Sequence, residues 1–446
     1  MNPGWTAGLR LLGAALVAGL LGSCAIAPAS LQRTDLNREV ECPDCGKSLE
    51  ELIAVALKDP ASETSSHALA HFVEEWKEQR NADRGTLDLP RSDGTVQRLR
   101  IRFVLGAHGA YSLDYFDEIR PATDYKVEKI AHHRRAGYGA PLVALRENRG
   151  RTPIEKYYPP EAISRPLTAV VDSVARGGGV REVRIELLCP LQNDEVRVQG
   201  RNRPLAADFS VPWAALLART GELNKSAVAD LLRPEPHREP QLYLMEPYQP
   251  DKIPLIMIHG LLDTPLAWMQ LSNDLWADDE IRSRYQIWQY LYNTSAPALY
   301  SGRILSTQLR ELRPMLDADG RDPAMRSTTL LAHSMGGLVS RRLITRPGDA
   351  FWKAAFTQPI ESLQLSAADR AQLQEAFFWE PVGHVDRVIY IAVPHRGSGY
   401  ADNVIGRIGR WLVKPPNRFE GFYKRISSAN PGANLPGPAG LLFGAG

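Results

Sequence analysis

At 446 residues the chain exceeds one small domain, and at roughly 100–200 residues per domain it should form two or three. Hydrophobic residues at 44% and charged residues at 23% are ordinary for a globular body. A net charge of +2 argues for no basic stripe, so nucleic acid is not expected as a partner.

The first apolar run opens the chain. Arg10 precedes "LLGAALVAGLLGS" (11–23), which is short for a membrane span and reads as the core of a secretory signal. It ends in Leu21-Gly22-Ser23-Cys24, which resembles a bacterial lipobox. The resemblance implies that 1–23 is a lipoprotein signal peptide and that Cys24 becomes the acylated N-terminus. Each buried CH₂ of a lipid chain contributes about 0.8 kcal/mol, so a multiply acylated cysteine is a firm membrane anchor. The mature body would then sit in the cell envelope, lipid-anchored on the periplasmic side. Ala25, rather than Asp, after the cysteine favours the outer membrane by the same resemblance. An ordinary secretory signal with an incidental Cys24 is the alternative.

Residues 24–45 read as a tether. Cys42 and Cys45 form a C-x-x-C in "ECPDC", read as a local disulfide or inert thiols in an oxidising compartment. A redox site would need a strand-to-helix context there, and a zinc site a second ligand pair, which Cys189 alone does not supply. No metal or nucleotide motif appears, so neither metal nor cofactor is expected.

Residues 46–232 read as a helical hairpin followed by a β-rich domain. Leu49, Leu52, Ile53, Ala56 and Leu57 share one helix face; Leu69, Phe72, Val73 and Trp76 share another. His67 and His71 lie four apart on this second helix. They lack the Glu and third ligand of a zinc-protease pattern, so a solvated helix face is expected. From about 95 to 215 short β-rich runs such as "TVQRLRIRFVL" and "VREVRIELLC" predict an antiparallel domain. A linker is expected over 233–252, beginning with the Pro-rich "RPEPHREP".

From 253 to 446 the rhythm is strand, helix, strand, helix. "IPLIMI" (253–258), "YQIWQYLY", "STTLLA" and "DRVIYIAV" (386–393) read as apolar strands. Helices are expected over 264–276, 299–318 and 335–343, and 349–380 is a helical, aromatic-bearing insertion. The fold class is therefore α/β, a mostly parallel sheet covered by helices and preceded by a smaller β-rich domain.

In such a sheet ligands bind beyond the carboxyl ends of the strands. Three polar, glycine-containing turns fall there: His259-Gly260-Leu261, His333-Ser334-Met335-Gly336-Gly337 and Pro394-His395-Arg396-Gly397-Ser398. The segments "PLIMIHGLLDTPLAW", "LLAHSMGGLVSRR" and "VIYIAVPHRGS" together resemble the α/β-hydrolase superfamily, nearest its serine esterases and lipases, over about 252–415. The resemblance implies a nucleophile elbow, a strained strand-to-helix turn that exposes the Ser334 hydroxyl. Ala332 stands where the first glycine of G-x-S-x-G would be, and Gly336 keeps the second. The backbone N–H groups of Met335 and Leu261 would hold the oxyanion. His259, His333 and His395 would shape the pocket, and 349–380 is either a lid or ordinary helix packing. A buried helix N-cap is the other reading of Ser334.

The expected activity is a membrane-anchored serine hydrolase that cleaves carboxylic esters, with an ester or lipid substrate. The superfamily's order is Ser, then an acid, then His. Asp402 can serve as the acid, but no His follows His395, and 426–446 carries no charge at all. A serine without a base is a poor nucleophile. The expectation is therefore a chain lacking the C-terminal part of this fold. An enzyme that uses His395 unconventionally and an inactive scaffold or binding lipoprotein are the alternatives.

Overall fold

A computed structural model of the chain describes residues 30–33, 44–79, 85–106, 109–219, 239–395 and 417–433, apart from positions 45, 92, 129, 178–179, 199, 262 and 295. The signal segment, Cys24, Cys42, Cys45 and Asp402 lie outside the described residues.

A short strand, β1 (Ser30–Arg33), comes first. Serine hydroxyls then start two helices. Ser48 and Glu51 close a capping box on α1 (Leu49–Ala56), with Glu51 N–H donating to Ser48 Oγ and Ser48 N–H to Glu51 Oε2. Ser62 caps α2 (Glu63–Glu78) by accepting from Ser65 N–H. Leu49, Leu52, Ile53 and Ala56 of α1, and Leu69, Phe72, Val73 and Trp76 of α2, are buried, as their spacing predicts.

Twelve strands follow: β2 (Thr86–Pro90), β3 (Val96–Phe103), β4 (Ala110–Tyr111), β5 (Glu118–Pro121), β6 (Tyr125–Glu128), β7 (Arg134–Arg135), β8 (Ala140–Arg146), β9 (Ile163–Gly177), β10 (Val180–Leu188), β11 (Glu195–Val198), β12 (Arg201–Pro204) and β13 (Ala207–Asp208). Helix α3 (Ser210–Arg219) closes this region. Its main sheet runs β2-β3-β10-β9-β8-β5, with β4 on β10. The sheet is mixed, not antiparallel as the sequence reading had it, because β3 and β10 pair in parallel. The β9–β10 hairpin inserts between the β2–β3 hairpin and β8. The long stretch from 104 to 179 supplies the crossover that a parallel neighbour needs.

The second sheet is built from β14 (Gln241–Leu244), β15 (Ile253–Ile258), β16 (Tyr285–Leu291), β17 (Thr328–His333) and β18 (Val385–Ile391). Its helices are α4 (Met269–Ala277), α5 (Asp279–Arg284), α6 (Ala298–Leu316), α7 (Met335–Ile344), α8 (Ala350–Ala355), α9 (Ala367–Phe377) and α10 (Asn417–Ala429). Strand order is β14-β16-β15-β17-β18. Only β14 is antiparallel to its neighbour. Residues 241–244 thus form a strand where a linker is expected, with Leu242 and Leu244 buried at period two. The chain is a mixed α/β protein. Among the described residues no helix is long and apolar enough to cross a membrane.

Alternation along the strands splits the core between two faces. Leu255, Met257, Ile287 and Leu331 meet Trp268, Met269 and Trp276, and the same cluster continues into Trp213 and Leu217 of the N-terminal region. Ile256, Ile258, Trp288, Tyr290, Leu330 and Ala332 meet Leu305, Leu309 and Leu312 of α6 and Val339 and Leu343 of α7. The N-terminal region therefore acts as a cover for one sheet face. Polar contacts tie the seam: buried Glu246 accepts from Trp276 Nε1 at 3.1 Å and Ile287 N–H at 2.8 Å, and Arg165 donates to the Met245 carbonyl at 3.1 Å.

β18 lies where an apolar strand is expected over 386–393. It is the last strand of the sheet among the described residues, and its burial alternates. Val388 and Tyr390 pack inward, whereas Ile389 and Ile391 are 45% and 41% exposed.

The topology fixes where a ligand would bind. The chain leaves β15 toward β16 on one side and leaves β17 toward β18 on the other. The crevice beyond the carboxyl ends of β15 and β17 is thus the topological switch point.

Candidate active site

Ser334 is the turn between β17 and α7, with φ 48° and ψ −117°. Among the described non-glycine residues only Asp251, Ser334 and Ala392 have positive φ. Such a conformation costs on the order of 1–3 kcal/mol and persists where neighbours over-determine it. Here Ser334 N–H donates to the Ile391 carbonyl at 2.9 Å, and Gly337 N–H donates to the Ser334 carbonyl at 3.0 Å. Ser334 occupies the N-cap position of α7 but makes no side-chain capping bond.

The turn after β15 lies against this elbow. A methyl group placed on Gly260 would stand 2.8 Å from His333 Nδ1 and 3.2 Å from Ser334 Cβ. One placed on Gly336 would stand 2.4 Å from the Ile258 carbonyl oxygen and 2.6 Å from that of His259. One on Gly337 would strike Val393, just past β18. The turns at 259–261 and 333–337 and the chain just past β18, at Val393, are therefore brought to one sheet edge, while 396–398 of the third turn lie outside the described residues. Leu261 is half exposed there, and Ser334 and Met335 are partly buried.

The histidines divide sharply. His259 is fully buried, its ring stacked on Tyr292 at 4.3 Å. Its Nδ1 lies 3.0 Å from the Gly260 carbonyl and its Nε2 accepts from Tyr292 N–H at 3.3 Å. That pairing fixes the Nδ1–H tautomer, and burial pushes the imidazole pKa down to about 4. His259 is a locked structural residue. His333 lies beside Gly260. His395 is exposed and packs edge-on against Tyr390 at 4.5 Å. His384 sits at the opposite end of the sheet, where its carbonyl accepts from Thr328 N–H. Six residues of extended chain, about 20 Å, separate that level from Ser334.

One acidic residue at this edge was not singled out in the sequence. Asp263 follows the β15 turn, partly buried, with Oδ1 accepting from Thr264 N–H at 2.9 Å. Burial raises its carboxyl pKa, and the neighbouring His333 opposes that rise. The signal available was an acid in the polar turn "HGLLDTP" after an apolar strand.

The insertion's aromatics are spent on one another. Trp352 stacks on Phe356 at 4.1 Å, Phe377 meets both edge-on, and Phe422 and Ile426 of α10 complete the cluster. Arg342 of α7 lies over the Trp379 ring at 4.3 Å and donates to the Glu375 carbonyl at 2.7 Å, fastening the insertion to the sheet. These contacts pack much of the insertion internally, while Phe378 is exposed. A cleft of about 910 Å³ beside Arg151, Lys156, Glu239 and Tyr243 is at the β14 edge and not at Ser334.

The expected solvated face at His67 and His71 is corrected. His71 is buried and His67 partly so, because Asp44 and the turn Ala122–Asp124 cover this side of α2. Burial opposes a charge on His71, but the carboxylates of Asp124 and Glu74 outweigh it and raise its pKa to about 9.

No protein-family model matches the sequence, and no curated protein matches it. Two solved structures align with part of it. One is the Bacillus licheniformis lipase BlEst2 in its mature form: 18% identity, TM-score 0.24, 42% of this chain and 66% of that one. The other is the same lipase in its propeptide form: 19% identity, TM-score 0.22, 41% of this chain and 34% of that one. The chain spans less than two thirds of either.

Proposed function

We propose that this chain is a serine hydrolase of carboxylic esters with an α/β-hydrolase-like C-terminal region and Ser334 as nucleophile. The observation that carries the reading is the strained Ser334 backbone, φ 48°, in the turn between β17 and α7 at the switch point. Strain of this kind concentrates at functional sites. Ser334 Oγ bonds to the ester carbonyl carbon as its proton passes to a base, for which His333 and His395 are the described histidines at this edge besides the locked His259. The Met335 and Leu261 N–H groups face the oxyanion. The alcohol leaves with a proton, and water then releases the acid from the acyl-enzyme. A fluorophosphonate probe should label the wild-type chain and leave Ser334→Ala unlabelled. Label that persists in Ser334→Ala would sink the assignment.

A second reading is a non-catalytic scaffold. It is favoured by the histidines: His259 is locked and His384 is remote. A folded wild-type chain that takes no label supports it.

The lipobox reading adds a tether through Cys24 on the periplasmic side. A clickable palmitate analogue should enter the wild-type chain in cells and not Cys24→Ser. Equal incorporation in both rejects the tether.

A further inference from the structure

Outside the candidate active site, one cluster has the composition and spacing of a metal centre. His67 and His71 stand four residues apart on α2, so their side chains share one face. Asp124 reaches them from the turn Ala122–Asp124. Both Nε2 atoms are turned on the same oxygen: Asp124 Oδ1 lies 3.4 Å from His71 Nε2 and 3.8 Å from His67 Nε2. One donor atom from each residue falls within 4.8 Å of the others.

Zinc bonds of about 2.0–2.1 Å space the corners of a tetrahedron about 3.4 Å apart. The two nitrogen–oxygen separations are close to that edge.

The other ring nitrogens are also set for coordination. His67 Nδ1 lies 2.7 Å from Asp44 Oδ2, and His71 Nδ1 lies 3.5 Å from Glu74 Oε2. Arg120 holds Glu74 from behind at 2.6 Å. A carboxylate on Nδ1 fixes the tautomer that presents Nε2 to an ion, as in carboxylate–histidine–zinc arrangements. Two of them converge here.

We propose that His67, His71 and Asp124 bind a divalent cation of the zinc class, with Asp44 and Glu74 as outer carboxylates. Three protein donors leave a fourth position for water or another ligand. The His67 side chain is 22% exposed while those of His71 and Asp124 are almost fully buried, so entry is past His67. The ion would clip together three pieces distant in sequence: the segment at Asp44, helix α2 and the 122–124 turn.

The test uses the full chain, stripped with a chelator, dialysed against zinc, and analysed for metal content and thermal melting. One zinc per chain is expected, with a melting temperature several degrees above the stripped form. His67→Ala and Asp124→Asn should lose both the metal and the shift. Cobalt should give a tetrahedral d–d spectrum without thiolate charge transfer, a readout on the wild-type chain that no variant needs to fold for. A wild-type chain that retains no zinc overturns the proposal. So does zinc that survives His67→Ala but leaves with Cys42→Ser, or a thiolate band in the cobalt spectrum.

Discussion

Gly336→Ala is expected to lower unfolding free energy by about 3 kcal/mol or more, at the upper end of the overpacking range. The added methyl would stand 2.4 Å from the Ile258 carbonyl oxygen and 2.6 Å from the His259 oxygen. Both are backbone atoms of the β15 end, in the centre of the sheet, and no side chain can swing aside to make room. Helix α7 must therefore retreat from β15, and with it the Met335 N–H and the Ser334 turn. Fluorophosphonate labelling should fall even in preparations that remain folded. Gly383→Ala is the matched control, since nothing lies within 4 Å of a methyl there. Urea titrations of the two variants against wild type measure the difference. Equal midpoints for Gly336→Ala and Gly383→Ala would mean that the elbow does not need its close approach to β15.

The residues that make this prediction were legible in the sequence. A serine after an apolar strand, followed by two glycines and an apolar helix, states a strand-to-helix turn locally. So do the turns after β15 and β18. Local periodicity likewise places α1, α2, α6 and α7. What escaped was long-range. The parallel pairing of β3 with β10 depends on a hairpin inserted from far along the chain, and no pattern within either strand encodes it. His71 looks like a solvated helix position because His67, Glu74 and Glu75 on its face are polar; it is covered by Asp124, which arrives from more than fifty residues away. The role of the N-terminal region was hidden for the same reason. Trp213 and Trp276 meet at 5.1 Å across the seam, yet each reads alone as an ordinary core residue. In β18 the apolar run from Val388 to Ile391 is continuous, but its position at the end of the described sheet decides which of them are covered.

Acid should destabilise this fold through two histidines buried without charge. Burial lowers the pKa of His259 to about 4. Burial, reinforced by Arg313 and Arg310, lowers that of His384 to about 4 as well. An unfolded histidine titrates near 6.5. Between pH 6.5 and 4 the unfolded chain thus binds the extra protons, and stability falls as pH falls. Above 6.5 both states are neutral at these sites and the contribution is flat; below 4 the loss is complete. From pH 7.5 to 4.5 each histidine should remove about 2.5 kcal/mol of unfolding free energy. His384 isolates the effect, because it lies at the amino end of β18, away from Ser334. His384→Leu should therefore shrink the loss over that pH range by about 2.5 kcal/mol, seen as a smaller shift of the urea midpoint. The His259 contribution stays behind, since its ring remains sealed between Gly260 and Tyr292. A variant that follows the wild-type acid limb unchanged would show that His384 is not held neutral. If instead the variant flattens by the stated amount, acid sensitivity has a source in the sheet core, separable from the chemistry at the Ser334 turn.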